Sequence, residues 1–309
     1  SRAPRPVVSG IVDVIWQDGP WEHRLVPANG ARFHVVLAGP DSGELVVLLH
    51  GFPQFWWAWR AQLAGLAEAG YRVAAMDIRG FGGSDKPPTG HSTPVLTADV
   101  SGVVRALGRE SAVIIGHDFG GLLAWSAPVL QPQVTRAVAV LAAPHPVALL
   151  RPRNRLSSRG RALLARIQVP WFPERALRRG DLVTRILTDH SAPGRQIPED
   201  ELRAYQAAMR LPSVAHTSLE HLRWLVRSTP RPDGRRYLAA MATPVQVPVL
   251  SIRGGHDRFT PPRAFADDAA HVRGPLQTAV VARAGHLLPE EAPEEVTELL
   301  LEFLAALPD

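Results

Sequence analysis

The sequence predicts an α/β protein: a mostly parallel sheet covered by helices on both faces, with an all-helical segment inserted between two of its strands. Two observations predict it. Short aliphatic runs recur at 33–37, 45–50, 72–78, 112–118, 136–141, 247–253 and 278–282, separated by helical patterns, and that alternation marks βαβ units. Between Pro146 and about Ala239 the strand signal stops. A stretch of roughly ninety residues is too long for a structureless loop in a compact domain. It reads as a helical lid over 147–239, flanked by the two parts of one sheet domain at 1–146 and 240–309.

Each element has a local reason. The strand runs are apolar almost throughout, as strands buried on both faces must be. The clearest lid helix is "PEDELRAYQAAMRL" at 198–211. Pro198 suits a first turn, the acids Glu199, Asp200 and Glu201 suit the positive helix start, and Leu202, Tyr205 and Met209 fall on one face.

Composition narrows the function. With 309 residues and 46% apolar content, the chain can bury a large core without metal or disulfide support. There is no cysteine, which excludes disulfide frameworks, thiolate nucleophiles and Cys-ligated zinc. The formal charge of +5 invites a nucleic-acid reading, but Lys86 is the only lysine. The densest basic stretch, Arg151, Arg153, Arg155, Arg159, Arg161 and Arg166, lacks the interleaved aromatics that stack bases. It reads as a solvated helix face. No run reaches the roughly 18 apolar residues of a membrane span, and the opening "SRAPRPVVSGIVDVIW" lacks the apolar core of a signal peptide. A cytoplasmic protein with neither nucleic-acid nor membrane partner is expected. The sequence leaves its oligomeric state open.

Parallel sheets place their sites outside the carboxyl ends of the strands, and four strand ends carry polar or turn-forming groups: "HGFP" (50–53), "GHDFGG" (116–121), "RGGHDRF" (253–259) and "RAGHLLPEEAPEEV" (283–296). In "GHDFGG" the pattern is G-x-D-x-G, between an apolar run and a helical one. Glycines two residues either side of Asp118 fit a sharp strand-to-helix turn that thrusts the central side chain outward. A carboxylate there is already ionised at neutral pH and can attack a saturated carbon, forming an ester of the enzyme. Hydrolysing that ester needs an imidazole to take a proton from water and a second carboxylate to orient the ring. His286 and Asp257 fit those tasks, although His256, Asp267 and Asp268 are close rivals for the acid. The N–H groups of Phe52 and Phe119 are placed to donate to the oxyanion. "DIRGFGGSDKP" (77–87) is Gly-rich, but its spacing matches no phosphate-binding fingerprint.

Taken together, "HGFP", "DIRGFGGSDKP", "GHDFGG", "APHP" and "GHLLPEEAPEEV" resemble the epoxide hydrolases of the α/β-hydrolase fold. The resemblance covers roughly 25–147 and 240–308 and is weaker across the lid. It implies Asp118 as nucleophile, Asp257 as orienting acid, His286 as base, a cis Phe52–Pro53 bond, no metal or cofactor, and a small apolar epoxide and water as substrates. Haloalkane and fluoroacetate dehalogenases share the Asp nucleophile. They tend to place Trp or Arg directly after it, where this chain has Phe119. The family's two lid tyrosines, which protonate the opening epoxide, have no clear counterparts: Leu222 and Trp171 stand in their places. Tyr205 and His221 become the candidate donors, and Trp57, Trp171 and Trp224 the candidate pocket walls. A non-catalytic ligand-binding protein that kept the fold is the remaining alternative.

Overall fold

A computed structural model describes residues 14–308. The signal-peptide reading of the N-terminus falls mainly on residues 1–13, outside the described residues. Among the described residues eight strands form one sheet: β1 (Glu22–Ala28), β2 (Ala31–Ala38), β3 (Leu45–Leu49), β4 (Arg72–Met76), β5 (Ala112–His117), β6 (Thr135–Leu141), β7 (Val249–Gly254) and β8 (Leu276–Val281). Their order is β1-β2-β4-β3-β5-β6-β7-β8. β2 runs antiparallel to both its neighbours and every other pairing is parallel. The seven runs read from the sequence appear as β2 to β8. β1 was missed: it is an edge strand, largely exposed, with a proline in it, so it lacks the apolar run of a central strand.

The helices of the sheet domain are α1 (Arg60–Glu68), α2 (Thr93–Ala106) and α3 (Phe119–Leu130) before the insertion. Between β6 and β7 come α4 (Pro146–Leu149), α5 (Ser158–Ile167), α6 (Phe172–Arg179), α7 (Asp181–His190), α8 (Glu199–Arg210), α9 (Val214–Arg227) and α10 (Pro232–Met241). α11 (Pro262–Ala266), α12 (Leu288–Glu291) and α13 (Pro293–Ala305) complete the chain. α13 shows the logic: proline and two acids open it, and Val296, Leu300, Phe303 and Leu304 turn inward at helical spacing. Among the described residues no helix is long and apolar enough to cross a membrane.

The connection from β5 to α3 positions the site. It is a single residue, Asp118, at φ +50° and ψ −115°, a conformation that residues with a side chain avoid. So sharp a turn brings strand and helix backbones together. A Cβ on Gly116 would lie 2.1 Å from the Gly120 carbonyl oxygen, and one on Gly120 would lie 2.2 Å from that of Leu49. Both opposing atoms are backbone and cannot step aside. Gly116→Ala should therefore cost about 2–3 kcal/mol or more, read as a drop in urea midpoint with the slope unchanged. A midpoint equal to wild type would show that the turn has slack.

Candidate active site

The Asp118 carboxylate is 22% exposed, toward a cavity. Its Oδ2 accepts the Phe52 N–H at 3.0 Å, and its Oδ1 lies 3.2 Å from His286 Nε2. On the far side of the ring, His286 Nδ1 donates to Asp257 Oδ2 at 2.8 Å. The second Asp257 oxygen accepts the N–H groups of Phe259 and Thr260. Three residues from separate strand ends thus form one hydrogen-bonded line. The rival acids lie elsewhere: Asp267 pairs with Arg153, and Asp268 accepts from Ser251 and the His145 N–H. Phe119 opens α3, so its N–H has no carbonyl within the helix to bond. The Phe52–Pro53 peptide is cis.

The loop carrying His286 is clamped by groups the sequence reading did not single out. Glu291 accepts the N–H groups of Gly285, Leu287 and Ala192. The His286 N–H donates to the His190 carbonyl, and its own carbonyl accepts from His117 Nε2. The repeated acids in "PEEAPEEV", close after His286, were the available signal.

Electrostatics follow from this geometry. Burial opposes an imidazolium at His286, yet Asp257 and Asp118 outweigh it and push the ring up to about 10. Burial likewise opposes charge on both carboxyls, and the same ring holds each below the usual carboxylate range. Burial and the nearby His286 push His117 down to about 4 and His190 down to about 3. The resting site is one cation between two anions, with neutral imidazoles beside it.

Asp118 opens onto a cavity of about 510 Å³ whose walls are mainly apolar, among them Phe119, Leu122, Leu222, Trp224 and Phe259. Four sequence expectations fail here. Tyr205 does not reach the cavity; it is fully buried and its hydroxyl donates to Glu290 at 2.5 Å. His221 stacks on Phe119 and gives its Nε2 proton to the Arg79 carbonyl at 2.6 Å; burial pushes it down to about 3, so it has no second proton to offer. Trp57 lies under the Arg60 guanidinium, beside Tyr205, away from the cavity lining. Trp171 is 84% exposed on the outer surface. In each case helical or loop spacing gave the residue type but not its direction. The phenol that does line the cavity is Tyr237, whose hydroxyl meets Ser126 at 2.9 Å.

Comparisons with known proteins agree with this architecture. The profile of the alpha/beta hydrolase fold family matches residues 44–293. Epoxide hydrolase A of Mycobacterium tuberculosis is 34% identical, over 92% of this chain and 97% of its own. Epoxide hydrolase 3 of Xenopus tropicalis is 32% identical, over 89% of this chain and 75% of its own. Among solved structures, epoxide hydrolase A from Mycobacterium thermoresistibile superposes with a TM-score of 0.79 at 28% identity, covering 93% of this chain and 99% of that one.

Two outcomes follow from the site. Removing the Asp118 charge with Asp118→Asn takes away one of the two supports of the imidazolium, so in an NMR pH series the His286 ring should titrate clearly lower than the wild-type value of about 10; titration unchanged at about 10 would mean Asp257 alone holds it. Tyr205→Phe should leave kcat within about threefold of wild type, since the hydroxyl faces Glu290 and not the cavity. It should lower stability by about 1–2 kcal/mol through the lost hydrogen bond, measured by chemical denaturation. A collapse of kcat with stability intact would return Tyr205 to the reaction.

Proposed function

The chain belongs to the epoxide hydrolases of the α/β-hydrolase fold, and from that premise we propose that it opens apolar epoxides through a covalent ester on Asp118, which His286-activated water then hydrolyses. The observation that carries the reading is the continuous line from the Phe52 N–H through Asp118 and His286 to Asp257.

The steps balance without any other group. Asp118 Oδ1 attacks an epoxide carbon, the C–O bond of the ring breaks, and its electron pair stays on the oxygen. That alkoxide, costly in an apolar cavity, takes the proton of the His286 imidazolium, which lies 3.2 Å from Oδ1 in the resting site. The ester carries no charge and its oxygen no longer competes for Nε2, so neutral His286 is free to accept a proton from water. Hydroxide adds to the ester carbonyl, and the oxyanion forms on Oδ2, 3.0 Å from the Phe52 N–H, with the Phe119 N–H the second donor. Collapse breaks the bond between the ester carbonyl carbon and the product oxygen; the departing alkoxide takes the remaining proton of the added water from the new carboxyl, which releases a vicinal diol and leaves the His286 cation between its two anions.

Tyr237 does not fit the role of the lid acid. Its partner Ser126 stands eight residues beyond Asp118 along α3, about 12 Å by helix rise, too far from an epoxide held at Asp118. Phe119 favours epoxides over halides as substrates, because its side chain offers a departing halide no hydrogen bond.

Intact-mass measurement tests the scheme. His286→Gln incubated with an epoxide that wild type turns over should accumulate protein heavier by one substrate mass, more slowly than wild-type turnover, while Asp118→Ala stays unmodified. In heavy-oxygen water, a single wild-type turnover should leave label in the Asp118 carboxylate. Unlabelled Asp118 alongside formed diol would refute the ester.

A further inference from the structure

Five of the seven large apolar side chains exposed among the described residues lie in the segment between β6 and β7: Leu150, Val169, Trp171, Phe172 and Val226. Three of them crowd into the short turn between α5 and α6, where Trp171 is 84% and Phe172 77% exposed. Trp171 also takes φ +75°, a strained conformation for a bulky residue, and so exposed a ring does not offset that strain by packing.

The turn is presented on a fixed base. The Arg223 guanidinium donates to the carbonyls of Ile167 and Val169, and that of Arg227 to the carbonyl of Gln168. Arg227 follows Val226, which with Leu150 lines the substrate cavity while remaining exposed. The apolar tip and the place where the cavity meets solvent are therefore tied to the same end of α9.

Charge decides what the tip meets. Residues 147–239 hold eighteen arginines, no lysine and eight acids, whereas the whole chain is only +5; the insertion is strongly cationic and the rest of the molecule net negative. Arg166, Arg175, Arg178 and Arg227 are exposed around the turn. Aromatic rings with basic residues beside them match a lipid headgroup layer that carries negative charge. A second copy of this chain would instead bring one cationic face against another.

We propose that the 169–172 turn docks the helical insertion onto anionic lipid surfaces, with Trp171 and Phe172 entering the interface and the surrounding arginines facing the headgroups. Docking of this kind needs no spanning segment, so the expectation of no membrane partner, drawn from the lack of a span, does not bear on it. It would also bring the cavity mouth to the phase in which apolar substrates dissolve.

Co-sedimentation with extruded vesicles tests this. The full chain should bind phosphatidylcholine vesicles containing a quarter phosphatidylglycerol at least about tenfold more tightly than pure phosphatidylcholine vesicles, and 1 M salt should abolish the preference. Trp171→Gly relieves the backbone strain and removes the ring, so vesicle binding should weaken about tenfold while the melting temperature does not fall. Phe172→Ser should weaken binding similarly. Equal binding to both vesicle types, or unchanged binding in both variants, overturns the proposal. So does light scattering that shows a dimer which Trp171→Gly dissolves, with no vesicle binding, since the turn would then join two copies.

Discussion

Asp118 and Asp257 are ionised where burial disfavours any charge, and they remain so because the His286 imidazolium lies between them. Removing ions from water costs several kcal/mol each. Opposite charges in hydrogen-bond contact recover that cost only when the remaining lone pairs are also met. Here they are: backbone N–H groups of Phe259 and Thr260 meet Asp257, and that of Phe52 meets Asp118. Every one of those donors lies in a turn just beyond a strand, so the sheet supplies the geometry and the loops supply the charge.

The same constraint explains the crowding of imidazoles. His117 and His190 flank His286, and burial keeps both neutral. They hold the His286 main chain, His117 by its ring and His190 by its carbonyl, without adding a second positive charge to the site. A cation at either would compete with His286 for the two carboxylates. The proton is thereby confined to the one ring that can pass it between substrate and water.

Motifs at strand ends were readable because they depend on local chemistry. A turn as tight as that at Asp118 admits few residues at Gly116 and Gly120, and the apolar run before it could only be a buried strand. Asp257 and His286 followed from their positions after later strands. The residues read from lid spacing fared differently. Tyr205 has the period of a buried helical residue and is buried, but which neighbour its hydroxyl meets was set by Glu290, eighty-five residues away in sequence. Trp171 looked like a pocket wall because aromatics usually are; the turn between α5 and α6 points it outward. Tyr237, which does line the cavity, is one of only two tyrosines in 147–239, but its place in the helix gave no sign of which way the ring faces.

By itself the sequence determined the alternation of strands and helices, the sharp turn at Asp118 and the order of the three charged residues, because these depend on backbone sterics and on periodicity within a few residues. Only the tertiary structure decided which side chains face the cavity, which carboxylate clamps the His286 loop, and which aromatics remain in solvent. Those outcomes depend on how helices rotate and pack against one another across long sequence separations, and spacing along a single helix does not encode that angle.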